Sequence, residues 1–139
     1  MDYEEISRDF ALRTKHLIES YDGEYDVTLL VNCCLGLLVV PKEKDFDKIP
    51  DEEIPRIGGK WGLKQECITV KCYQCGYNLR HVIRRIRNGI CHFNIKSIPD
   101  DHKNISNLEI SDGNDFKVTL SISQLRELAF SLTDHVYKP

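Results

Sequence analysis

Across residues 2–20 apolar side chains return every three or four positions. Tyr3, Ile6, Phe10, Leu17 and Tyr21 recur with Arg13 or Thr14 between them, and this period predicts an amphipathic first helix. Gly23, in "YDGEYD", supplies a C-terminal stop. The next run, "DVTLLVNCCLGLLVV", is apolar nearly all round. It predicts a helix central to the fold, capped by Asp26 or Thr28 and ended by Pro41. No period survives in "PKEKDFDKIPDEEIPRIGGKWG", which holds three prolines and three glycines. Residues 41–66 therefore read as a long charged loop, a kind of segment that is usually functional or mobile. Trp61 within it is a packing anchor or a contact with a partner chain.

A third helix is expected from about residue 67 or 73 to residue 94. Leu79, Val82, Ile83, Ile86, Ile90 and Phe93 form its apolar stripe. "IPDDHKN" then reads as a loop. "ISNLEISDGNDFKVTLSI" alternates about an Asp-Gly turn, so it predicts a β-hairpin with strands near 105–110 and 116–120. Ser121 or Ser123 caps a last helix, with Leu125, Leu128, Phe130 or Ala129, Leu132 and Val136 inward. The expected fold is mainly α: a four-helix bundle with a small hairpin before the last helix, in one domain spanning residues 1–139.

Composition changes this picture little. At 139 residues, 41% apolar and 29% charged, the chain suits one soluble domain with a single core. The start "MDYEEISRDF" is acidic and lacks a secretory h-region. Residues 27–40 are interrupted by Asn32 and fall short of the ~20 residues of a membrane span. A cytoplasmic protein without membrane partners is expected. Six cysteines then imply free thiols. Cys67, Cys72 and Cys75 have a C-x4-C-x2-C spacing, for which His81 or Cys91 could be a fourth ligand. No second C-x-x-C exists, so these thiols are expected to act as small hydrophobes, with no metal or other cofactor.

Charge is more informative. The net charge of −3 speaks against a broad nucleic-acid footprint. Yet Arg80, Arg84, Arg85 and Arg87 lie close together on the third helix. Asn88 and His92, four residues apart, share a helical face. His81, Arg84 and Arg85 extend that face, while Arg87 lies about 100° round from Asn88. An imidazole moves protons near neutral pH, and guanidiniums grip phosphate oxygens. With a carboxamide, this inventory suffices for RNA cleavage without a metal: a 2′-hydroxyl attacks the adjacent phosphate, His shuttles a proton and Arg stabilises the developing charge. Arg80, His81, Arg84 and Arg85 would hold RNA phosphates. The same residues also suit a plain solvated helix face.

The segment "RNGICH", residues 87–92, resembles the R-N-x-x-x-H form of the R-x4-6-H motif of the HEPN superfamily, the higher eukaryote and prokaryote nucleotide-binding domains. It closes a long amphipathic helix, as the family's motif does. "SDGNDF" and the following S-x-x-x-L helix extend the resemblance. The resemblance implies an HEPN-like bundle in which Arg87 and His92 are the catalytic pair and Asn88 supports them. It also implies a homodimer whose motif helices face one another across a composite cleft. Domains of this size resemble toxins of toxin–antitoxin pairs or anti-phage effectors that cut RNA, often held silent by an antitoxin of nucleotidyltransferase type. The alternative is a non-catalytic HEPN module that binds nucleotide, RNA or a partner protein. Gly89 inside the motif either loosens the helix end or admits a partner helix.

Overall fold

The computed structural model describes residues 6–22, 26–57, 60–71, 77–99, 101 and 105–137. Helices α1 (Ile6–Ser20), α2 (Asp26–Val39), α3 (Leu79–Cys91) and α4 (Ile122–Tyr137) form where the apolar periods place them. The β content departs from expectation. Strands β1 (Ile68–Val70), β2 (Ile95–Pro99), β3 (Ile105–Asp112) and β4 (Phe116–Ser121) make a four-stranded antiparallel sheet in the order β1-β4-β3-β2. The expected four-helix bundle with a small hairpin is thus corrected to a mostly helical fold built on a sheet.

The physical reason lies at both ends of the third helix. α3 is shorter than its predicted span, and Ile68–Val70 before it and Ile95–Pro99 after it are extended. Ile68, Thr69 and Val70 are all β-branched and pair with Val118, Lys117 and Phe116. After α3, Ile95 to Pro99 pair with β3. Pro99, which cannot donate to a ladder, stands at the register shift of this edge strand. The predicted hairpin is the central pair, with Ile110 opposite Val118 and Leu108 opposite Leu120.

Alternation places Leu108 and Ile110 of β3, and Phe116, Val118 and Leu120 of β4, on the buried face. Leu79, Val82, Ile83 and Ile86 of α3 join them, with Leu125, Leu128, Ala129 and Leu132 of α4. Ser121 starts α4 reciprocally: its Oγ accepts from the Gln124 N–H at 3.1 Å, and the Gln124 Oε1 accepts from the Ser121 N–H at 2.9 Å.

Two further expectations fare differently. The apolar stripe predicted for the first helix is present but faces outward. Ile6 is 66% exposed and Leu17 46%, while Ala11 is the fully buried residue of α1. Tyr3 lies outside the described residues. The charged segment 41–66 holds 3₁₀ turns at Glu43–Lys48, Ile54–Ile57, Lys60–Gly62 and Gln65–Cys67. It also contributes Phe46, Ile49, Ile54, Ile57, Trp61 and Leu63 to the core. Buried Asp45 accepts from the Lys42 N–H at 2.8 Å, closing the first turn. Trp61 is a packing anchor, its ring 4.5 Å from that of His135. Both Trp61 and Gly62 are left-handed at φ 68°.

Cys34 is buried in α2, and burial pushes its thiol up to about 12. Cys33, Cys67 and Cys91 are also free. Cys72 and Cys75 lie outside the described residues. No helix among the described residues is long and apolar enough to cross a membrane.

A β-carbon at Gly62 would stand 2.4 Å from the Gln124 carbonyl oxygen, on a backbone already at positive φ. Gly62→Ala should cost about 2–4 kcal/mol, combining left-handed strain with overpacking. Urea denaturation checks this. Unchanged stability would mean that the 60–62 turn does not dock on α4 as described.

Candidate active site

The candidate site is the solvent side of α3. Asn78 caps the helix, its Oδ1 accepting from the His81 N–H at 3.3 Å. At about 100° per residue, Leu79, Val82, Ile83, Ile86, Gly89 and Ile90 take one side. The ionisable side chains then fall on two flanks. Arg80, Arg84 and Arg87 lie towards the 3₁₀ turn Glu43–Lys48. The Arg80 Nε donates to the Ile49 carbonyl at 2.6 Å and its Nη2 to the Asp47 carbonyl at 3.0 Å. The guanidinium carbons of Arg84 and Arg87 stand 5.3 and 4.6 Å from the centre of the buried Phe46 ring, within cation–π range.

On the other flank Arg85 meets the β3–β4 turn. Its Nε donates to Asp112 Oδ2 at 2.5 Å and its Nη2 to the Asp112 carbonyl at 2.6 Å. Nη2 also pairs with Asp115 Oδ1, and Nη1 reaches Asp115 Oδ2 at 3.3 Å. The Arg85 hydrogen bond holds the Asp115 carboxyl below its ordinary value of 3.8. Asn88 Nδ2 makes a long contact of 3.4 Å with the Asp112 Oδ2 that Arg85 holds. His81 lies on the same flank. Burial, then the charges of Arg85 and Arg84, lower its pKa, so its ring is neutral at pH 7.

At Gly89 the structure shows an arrangement that neither expectation named. A β-carbon there would meet the Ser111 carbonyl oxygen at 2.5 Å and Ile110 Cγ2 at 2.7 Å. Its absence admits this chain's own β3. The helix then ends in a Schellman arrangement. The Phe93 N–H donates to Ile90 O at 3.0 Å and the Asn94 N–H to Gly89 O at 2.8 Å. His92 is the C-cap residue, exposed, with its N–H on Asn88 O at 3.1 Å. Phe93, expected in the core stripe, is 79% exposed. The chain turns left-handed there, φ 56°, so helical projection no longer applies. A phenylalanine in this conformation costs about 1–2 kcal/mol that glycine would avoid.

The structure thus brings Arg85 and Asn88 together on Asp112 and sets Arg80, Arg84 and Arg87 along another flank. Arg87 and His92 diverge by about 140° around the helix. A cleft of about 310 Å³ beside Trp61 and His135, and another along Ser123, Arg126 and Phe130, contain none of the seven predicted site residues. Sequence reasoning missed Phe46, Asp112 and Asp115, which orient the arginines. Acidic "SDGND" facing an arginine-rich helix was the signal for the last two.

A bundle-and-sheet domain with R-N-x-x-x-H at the end of its most amphipathic helix defines an HEPN-type module. The family model HEPN pEK499 p136 matches residues 1–138, and the chain belongs to that family. Its membership makes an RNase-like module the coarse functional class. No curated protein and no solved structure matches the chain significantly.

Helix propensity alone makes Gly89→Ala stabilising by about 1 kcal/mol. The nearest obstacle is backbone, which yields less readily than a side chain, so overpacking of about 1–3 kcal/mol should win. Chemical denaturation reads the sign, and a stabilised variant would refute the close approach. The Asp115 shift makes a separate prediction. Because the folded value is depressed, its contribution is present above pH 3.8 and is lost as pH falls through the folded value. Stability measured from pH 2 to 7 should show an acid limb that flattens in Asp115→Asn. An identical limb would rule out the Arg85 pairing as its source.

Proposed function

We propose that this protein is an endoribonuclease that needs no metal, with chemistry carried by His92 and Arg87 and supported by Asn88. The observation that carries the reading is the intact Arg87–His92 motif, held at the exposed C-terminal end of α3 in a member of an HEPN family. His92 takes the proton from the RNA 2′-hydroxyl. The 2′-oxygen forms a bond to phosphorus as the bond to the 5′-oxygen breaks, and an imidazolium returns a proton to that leaving oxygen. Arg87, whose guanidinium carbon stands 4.6 Å from the Phe46 ring centre, stabilises the added phosphoryl charge by two-point contact with phosphate oxygens. The products are a 2′,3′-cyclic phosphate and a 5′-hydroxyl.

The divergence of Arg87 from His92 favours a site made by two copies, with the α3 helices about a two-fold axis. Arg84 is the further cation for RNA phosphates. Arg80 and Arg85, bonded to the chain's own carbonyls and carboxylates, shape the surface. His81, whose burial lowers its pKa, is a further group for holding RNA by hydrogen bonds. The cellular role that fits is a toxin or anti-phage effector restrained by an antitoxin, such as a nucleotidyltransferase. A second reading is a non-catalytic module for nucleotide, RNA or protein. The net charge of −3 and the engagement of Arg80 and Arg85 favour it.

Cleavage of single-stranded RNA in EDTA tests the two. His92→Ala should lower the rate by roughly 10²–10⁴-fold. Arg87→Ala should do comparable harm, and Arg87→Lys should restore it incompletely because an ammonium lacks the bidentate fork. Growth arrest on expression should vanish with His92→Ala. Equal background turnover by wild type and His92→Ala on several RNAs, with neither toxic, would leave the binding module.

A further inference from the structure

Phe93 stands beside the candidate acid–base residue in a backbone conformation that phenylalanine rarely adopts. Its N–H and that of Asn94 are fixed on α3. The Asn94 carbonyl accepts from the Ser111 N–H at 3.1 Å, tying the next residue to β3. The ring therefore projects from a rigid base and is 79% exposed. Its chain neighbours Cys91, His92, Asn94 and Lys96 are exposed as well. An exposed aromatic whose chain neighbours carry an imidazole, a carboxamide and an ammonium is unlike the apolar centre of a protein interface. It matches the pattern by which single-stranded nucleic acid is held, with bases on an aromatic face and phosphates near cations.

We propose that Phe93 is the stacking platform for a base of single-stranded RNA next to the scissile phosphate. This rests on the nuclease reading. Stacking would hold a splayed nucleotide beside His92, where the 2′-oxygen can line up with its leaving group; an A-form duplex offers no such base. The role is positioning, since the ring touches no reacting atom.

The test is fluorescence anisotropy with a 5′-labelled, mixed-sequence 12-nucleotide single-stranded RNA, and with the same strand made abasic. Wild type, Phe93→Trp, Phe93→Leu and Phe93→Gly are compared in EDTA with 2′-O-methyl sugars at every linkage to prevent cleavage. Phe93→Trp should bind like wild type. Phe93→Leu and Phe93→Gly should bind roughly 5- to 100-fold more weakly, the range for loss of one base–aromatic stack. All four should bind the abasic strand alike. Phe93→Gly should also melt about 2–6 °C higher, because glycine suits the left-handed cap; this separates lost stacking from lost folding. Equal affinity of wild type, Phe93→Leu and Phe93→Gly for the base-bearing strand overturns the proposal. So does weakened binding that coincides with a fall from dimer to monomer mass, which would make the ring a contact between copies. If wild type binds neither strand at micromolar concentration, the nuclease reading fails first and takes this inference with it.

Discussion

Backbone meets backbone where α3 crosses β3, and the position of the site follows from that contact. With no side chain at Gly89, the helix can lie against the Ser111 carbonyl. The approach explains why a poor helix former stands within the motif. It also sets where the helix stops. The Gly89 carbonyl accepts from the Asn94 N–H, and the Asn94 carbonyl in turn accepts from Ser111. The helix end, the start of β2 and the middle of the sheet are thereby one hydrogen-bonded unit. His92 and Phe93 are the last two of the four residues that the Gly89–Asn94 bond encloses, so both are held by the core while facing solvent.

The same contact sorts the arginines. Once α3 is seated on β3, Arg85 lies over the β3–β4 turn, where Asp112 and Asp115 take its donors. The opposite flank meets the 3₁₀ turn Glu43–Lys48, where the buried Phe46 ring gives Arg84 and Arg87 an aromatic surface. Four arginines close together in sequence thus have different surroundings. The net charge of −3 matters less than this sorting, because a local field depends on which charges are already matched.

Much of this was legible in the sequence where the period was strong. All four helices and the central hairpin follow the apolar pattern. The errors cluster where one signal has two structural answers. Ile68 to Val70 is too short to show alternation, and Ile95 to Pro99 follows a helix without a glycine stop, so both fell outside the expected sheet. Phe93 continued an i, i+3 count that the chain itself abandons by turning left-handed. The stripe of α1 has a helical period but faces outward, because periodicity identifies an apolar face without saying what covers it. In the segment 41–66 acidic residues alternate with single buried apolar anchors such as Phe46 and Ile49, and 3₁₀ turns give no 3.6-residue pattern to detect. The motif residues were found because their chemistry and order are local. Their orienting partners, Phe46 and Asp112, are distant in sequence and needed the fold.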